Sequence, residues 1–516
     1  MKLRLFAVLA LLLAFASTHV AEPQSRIERS YLIYFSGSRV GWVKTSREVF
    51  QEGERSLLRE KESMYVKIVR SWDGQSFTIA GETETVLTAE GALVRKDETS
   101  DNGAQRIRRS AEVAEGKITI TERVDGDDPR KFPVDTTGAT VMTSRQAWAA
   151  LAGRLQKGQT LKFSSLDLEN HKLAEETWTV NGPAERRTRE GDNLKGTEVL
   201  VLRDGRSERN LMDENGDPRV STLMGGFSVE ETKAIPKNFV AEPVSIESAM
   251  TSDVVVPGCF GLQQMEIEIE GTETDAEGLE ALFESNAYQQ VVRYDDKQGG
   301  GWGLRLLSRK PAKDFVPAAF PPAEVPDDVK PFAKPTAICQ SDDPEIAAQA
   351  AKSTKGAKDS RDAADRLVRF VDSYLTKASG DTGSASAKQA WRERQGDCTE
   401  HAVLFTAMAR AVGLPARCIG GLVYVSDEAS GTALFGYHAW AEVWIGQWVP
   451  VDATVKELGT SARYVMFSVD EPGQSAGSGR ISRCIGLKIR PRINAWTLES
   501  GKTWRRKDAR EFKFPG

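Results

Sequence analysis

The sequence has little excess charge, few cysteines and few histidines, and almost no long apolar run. Its 516 residues carry 69 Lys+Arg against 74 Asp+Glu, a formal net charge of −5. Both signs are interspersed, which argues against an extended basic surface, so no nucleic-acid partner is expected. After the first two dozen residues no stretch approaches the roughly 20 apolar residues that a membrane-spanning helix needs. There is no CxxC pair and no second close His/Cys cluster, which removes the usual ligand spacings of a zinc site. No EF-hand-like calcium loop occurs, and no fixed-period repeat points to a solenoid. Neither a metal nor a cofactor is expected.

The N-terminus differs from the rest of the chain. Lys2 and Arg4 precede a 12-residue apolar run, Leu5 to Ala16, and small residues at Ala14, Ala16 and Ala21 offer cleavage sites. Residues 1–21 read as a signal peptide, with no cysteine nearby to take a lipid. The mature chain is therefore expected to be exported, periplasmic or extracellular, without a membrane span. Its five cysteines are Cys259, Cys339, Cys398, Cys418 and Cys484. An odd number leaves at least one thiol unpaired. With Cys398 set apart, the other four allow up to two bridges in three connectivities, and Cys418, within an apolar run, also suits a buried thiol.

This length implies two or three domains. Residues 22–235 are rich in β-branched and aromatic runs, such as Tyr31 to Phe35 and Lys117 to Thr121, broken by Asp-Gly and Asn-Gly pairs as hairpins would be. One helix is expected near Ser144 to Leu155, with Trp148, Leu151 and Leu155 on one face. The pattern resembles the open antiparallel sheets of periplasmic lipoprotein-carrier-like domains. Residues 236–316 form a further small β segment. Residues 317–335 hold six prolines and read as a linker. The fold class is thus multidomain: mainly antiparallel β, then an α+β core over 336–516. A helix over Ser360 to Tyr374, capped by Asp359 or Ser360, opens that core.

The chemistry concentrates in two places. In Gly396-Asp397-Cys398-Thr399-Glu400-His401, Asp397 and Glu400 have capping-box spacing, which puts Cys398 in the first turn of a helix that stops at Gly413. A helix start favours negative charge and presents unpaired N–H groups, so a thiol there is placed for nucleophilic attack and for oxyanion stabilisation. An ordinary core cysteine is the competing reading. The second place is a hairpin, Tyr437-His438-Ala439-Trp440-Ala441-Glu442-Val443 returning through Trp448-Val449-Pro450-Val451-Asp452. A loop of Trp444-Ile445-Gly446 would pair Val443 with Gln447 and set His438 opposite Asp452, where a carboxylate can orient an imidazole. His401, one turn from Cys398, is expected to pack or hydrogen-bond beside it, and His171 to be solvated.

These motifs, with Ala409-Arg410, Gly413-Leu414-Pro415-Ala416-Arg417, Gly420-Gly421 and Asp452-Ala453-Thr454, resemble the core of the transglutaminase-like superfamily, over roughly residues 340–490. The resemblance implies a papain-like α+β core in which Cys398 is the nucleophile, His438 the general base and acid, and Asp452 the orienting carboxylate. It implies thiol acyl chemistry on a peptide or protein substrate; peptidase or amidase action is favoured over crosslinking because a crosslinker needs a dry acyl tunnel, which no sequence feature marks. The superfamily also contains members without catalysis, so a binding or scaffolding protein with a relic core is the alternative.

Overall fold

The computed structural model describes residues 26–70, 76–101, 106–114, 116–124, 127–152, 155–203, 206–223, 227–244, 249–270, 282–295, 302–311, 315–377, 386–467, 469, 490–509 and 514. The expected signal peptide (1–21) and Cys484 lie outside them. The chain forms two compact units, Lys2–Ile246 and Glu247–Gly516.

The first unit is built on one sheet. Strands β1 (Ile27–Phe35), β2 (Ser38–Glu52), β3 (Arg55–Arg70), β4 (Ser76–Thr88), β5 (Leu93–Asp101), β6 (Arg106–Ala114), β7 (Lys117–Val124) and β8 (Arg130–Val134) are followed by helix α1 (Ser144–Ala152). Strands β9 (Thr160–Asp167), β10 (Lys172–Arg187), β11 (Asn193–Arg203), β12 (Arg206–Met212), β13 (Pro218–Leu223) and β14 (Phe227–Thr232) complete the order β8 to β1, then β14 to β9. The short β15 (Pro243–Val244) adds in parallel beside β3. Every pairing along this order is antiparallel; all but β1 with β14 join sequence neighbours, as local hairpins dictate. Alternation is clear in β7, where every second side chain is buried. The two ends of the sheet share a core: Ala111, Ile120 and Val134 pack with Leu168. The helix seats Trp148 and Leu151 against Phe163, Trp178 and Val199. It is shorter than the sequence pattern implied, and Leu155 lies beyond it.

His171 is not solvated as expected. It stacks on Phe132 with ring centroids 3.7 Å apart and its Nε2 lies 3.1 Å from Glu122 Oε2. Burial would raise the Glu122 carboxyl, but Arg109 and His171 outweigh it and hold it down at about 2. The charge pattern around His171 hid a pairing that only the curl of the sheet creates.

Among its described residues the second unit holds two larger sheets, one two-stranded sheet and four α-helices. After β16 (Ala249–Thr251) come β17 (Leu262–Glu270), β18 (Gln289–Asp295) and β19 (Trp302–Arg309). Helices α2 (Pro344–Thr354) and α3 (Ser360–Tyr374), strand β20 (Thr376–Lys377), helix α4 (Ala387–Glu393), strand β21 (Gln395–Gly396) and helix α5 (Cys398–Ala411) follow. Then come β22 (Ala416–Asp427), β23 (Thr432–Trp444), β24 (Trp448–Asp452), β25 (Glu457–Leu458), β26 (Tyr464–Met466), β27 (Pro491–Leu498) and β28 (Thr503–Arg505). One sheet runs β25-β24-β23-β22-β26, with β16 on β23; the other runs β18-β19-β17-β27-β28. Ile267, Leu304 and Ile493 of the second sheet share a core with Leu422 and Phe435 of the first and with Phe467, just past β26. Helix α5 packs along β22 and β23, and from Glu400 to Arg410 every residue of it is buried.

Two expectations about domain limits need correction. Residues 236–316 were expected as a separate small β segment, but β17 within them pairs with β27 across more than two hundred residues of chain. The proline-rich stretch 317–335 is not a free linker. Ala318 N–H donates to the Ile445 carbonyl, the Ser360 N–H donates to the Ala318 carbonyl, and Phe332 packs edge-on against Trp448. Proline content alone signals extended backbone, and here that backbone is strapped to the core.

Candidate active site

The helix start carrying Cys398 is built as the local sequence requires. Asp397 is the N-cap, its Oδ1 accepting from the Thr399 N–H at 2.8 Å, and Glu400 Oε2 accepts from the Asp397 N–H at 3.0 Å. The capping box is complete. Gly396 is required: a Cβ there would sit 2.3 Å from Glu400 Cβ. Cys398 is left half-buried at the first helical position.

The hairpin register differs from the expected one by two residues. Trp444 pairs with Trp448 and Val443 with Val449, so the loop is Ile445-Gly446-Gln447, with Gly446 at φ 107°. Ile445 is fully buried and its carbonyl is held by Ala318, a tertiary contact that overrides the local loop preference. Continued one step, the ladder sets Asp452 opposite Trp440 and diagonal to His438. A shift of two preserves the face, and the diagonal is within reach of an imidazole. His438 Nε2 lies 2.7 Å from Asp452 Oδ2.

His438 also hydrogen-bonds Cys398. With Nε2 on the carboxylate, Nδ1 is the ring nitrogen left for the thiol. Burial opposes a charged imidazole, but the bonds to Asp452 and Cys398 outweigh it and raise His438 to about 10. Asp452 is almost fully buried. Burial would raise its carboxyl, yet donation from His438, Tyr464 and Thr454 brings it down to about 2. The three residues singled out in the sequence are thus brought together.

Sequence reasoning missed the groups behind Asp452. Tyr464 Oη donates to Asp452 Oδ2 at 2.7 Å, and the Thr454 N–H donates to Oδ1 at 2.8 Å. Arg463 Nη2 in turn donates to Tyr464 Oη at 2.8 Å. Tyr464 lies on the three-residue β26, which reaches the site only by pairing with β22; no local pattern marks so short a strand. Trp440 stands edge-on to Tyr464 and passes so close to Gly421 that a Cβ there would lie 2.4 Å from the indole. One of the paired glycines, 420 and 421, is therefore there to admit a tryptophan.

His401 is fully buried, with Nδ1 2.7 Å from the Asp397 carbonyl. Burial lowers its pKa, so it stays neutral and braces the helix start. Among the described residues no group of three or more His, Cys, Asp and Glu side chains is arranged to hold a metal ion. No described helix is long and apolar enough to cross a membrane.

Residues 347–453 match the sequence profile of the transglutaminase-like superfamily. No curated protein matches the chain. Among solved structures, similarity extends to a candidate cysteine protease from Cytophaga hutchinsonii, at 16% identity over 52% of this chain and 90% of that one, with a TM-score of 0.28. A β-barrel-like protein from Brucella abortus matches at 12% identity over 40% and 94%, TM-score 0.28. The periplasmic domain of TgpA from Pseudomonas aeruginosa matches at 14% identity over 40% and 86%, TM-score 0.25.

Proposed function

From a transglutaminase-like core at residues 347–453, we propose that this chain is an exported thiol acyl-transfer enzyme acting on peptide or amide bonds. The observation that carries the reading is His438, hydrogen-bonded to both Cys398 and Asp452. In this mechanism Cys398 Sγ attacks the carbonyl carbon of an amide, and the thiol proton resides on His438. The developing oxyanion is met by the backbone N–H at the start of α5, where the helix dipole favours negative charge. His438 then gives its proton to the departing amine or ammonia, and a thioester to Cys398 remains. Water, deprotonated by the same imidazole, releases the acid; an amine in place of water yields a new amide. Asp452 keeps Nε2 protonated, so that Nδ1 faces the sulfur in the form that accepts a proton. Hydrolysis is favoured over crosslinking, and residues 1–21 direct export.

The test is turnover of a peptide amide substrate with and without an added primary amine. Wild type releases ammonia or amine, Cys398→Ala and His438→Ala do not, and the amine adduct remains a minor product. Full biological function retained in Cys398→Ala would instead favour a scaffolding role with a relic core.

A further inference from the structure

Two thiols outside the proposed triad meet inside the second unit. Cys339 lies just before α2 and is 5% exposed. Its N–H donates to Thr336 Oγ1 at 3.0 Å, and its carbonyl accepts the N–H groups of Thr336 and Ser341, so the turn that carries it is closed on itself. Cys418 lies on β22 directly across from Ala441 of β23. Its Sγ is 3.3 Å from Thr406 Oγ1 and shares a hydrogen bond with the Cys339 thiol. Arg410 ties together the chain segments on which the two cysteines sit. Its Nε donates to the Ala416 carbonyl at 2.8 Å and its Nη1 to the Lys334 carbonyl at 2.9 Å. The segments that carry the two thiols are thus held side by side by shared hydrogen bonds, Cys339 buried and Cys418 half-buried.

We propose that Cys339 and Cys418 are a modification site, joined as a disulfide in the mature protein, and that Cys398 stays a free thiol. The export proposed above supplies the compartment in which such a bond persists; the role of Cys398 is not required for it. The oxidant is an external disulfide, R–S–S–R. The Cys339 thiolate attacks one of its sulfurs and expels RS⁻. The Cys418 sulfur then attacks Cys339 Sγ, forms the Cys339–Cys418 bond and expels the second RS⁻. Two electrons pass to the oxidant, and the two thiol protons end on two RSH. The exchange precedes closure of the core, since Cys339 is buried afterwards. Once formed, the bond clamps the segment leading into α2 to the strand beside the one that carries His438.

The test uses the full chain directed to the oxidising periplasm of a bacterial host, quenched with N-ethylmaleimide and digested without reductant. The expected product is a Cys339 peptide linked to a Cys418 peptide, two hydrogens lighter than their sum, with Cys398 carrying maleimide. Maleimide on both Cys339 and Cys418, or either one linked to Cys259, Cys398 or Cys484, overturns the proposal. As a second measurement, a reductant lowers the melting temperature of wild type by about 5 °C or more and leaves that of Cys339→Ala or Cys418→Ala unchanged. A wild-type melting temperature indifferent to reductant also overturns it.

Discussion

At the scale of the residue, the candidate site is a carboxylate with more donors than a simple triad requires. Asp452 Oδ2 accepts from both His438 and Tyr464, and Oδ1 accepts from the Thr454 N–H. Hydrogen bonds to a charged group contribute about 1.5–3 kcal/mol each. Tyr464→Phe therefore removes one bond that favours the charged form and lets the Asp452 pKa rise. The expected outcome is a modest loss of turnover, about tenfold, with the acid limb of the pH–rate profile moved upward. An unmoved acid limb would show that Tyr464 only fills space. Asp452→Asn keeps the shape but removes the charge that holds Nε2 protonated, and turnover should fall by about 10³–10⁴-fold.

At the scale of the element, one glycine decides whether the helix can present Cys398. Gly396→Ala drives a methyl into Glu400 and disrupts the capping box at Cys398. The expected cost is about 1–3 kcal/mol, from overpacking plus loss of the cap, measured as a lower denaturant midpoint at unchanged slope. The helix start was legible in the sequence because capping is a rule between residues three apart. The face shared by His438 and Asp452 was legible too, because a strand has period two. The pairing register was not. It depends on Ile445 being drawn inward and on Ala318 gripping its carbonyl, and both come from distant chain. Tyr464 was missed for the same reason: its place beside Asp452 is set by β22, not by its neighbours in sequence.

At the scale of the whole molecule, the multidomain architecture followed from hydrophobic alternation in the first half and helical spacing in the second, but the boundary did not. Proline marks extended chain, whether free or strapped down, so residues 317–335 passed for a linker. Strand pairing between β17 and β27 has no local signature. The buried carboxylates make a prediction for acid stability. Asp452 in one unit and Glu122 in the other are both held near 2, below their ordinary values of about 4. A depressed folded-state pKa adds stability that is present above the unfolded value and is lost as pH falls toward the folded one. The share of the melting temperature that these two carboxylates supply should therefore be constant above about pH 5 and fall between about pH 4 and 2. His171→Ala should shrink the loss that comes from the first unit, and Asp452→Asn the loss that comes from the second. A melting temperature that stays flat down to pH 2 would contradict this.

The proposed chemistry rests on Cys398 and His438 acting as one unit, and acylation of the resting protein tests that most directly. Wild type mixed with an activated ester such as p-nitrophenyl acetate should release a burst of one p-nitrophenolate per chain. Intact mass should show a single acetyl group, mapped to the peptide containing Cys398. Cys398→Ala should show no burst, and His438→Ala should acylate about 10²–10⁴-fold more slowly. An acetyl group mapped to another residue, or an acylation rate at Cys398 that is the same in wild type and His438→Ala, would contradict the triad.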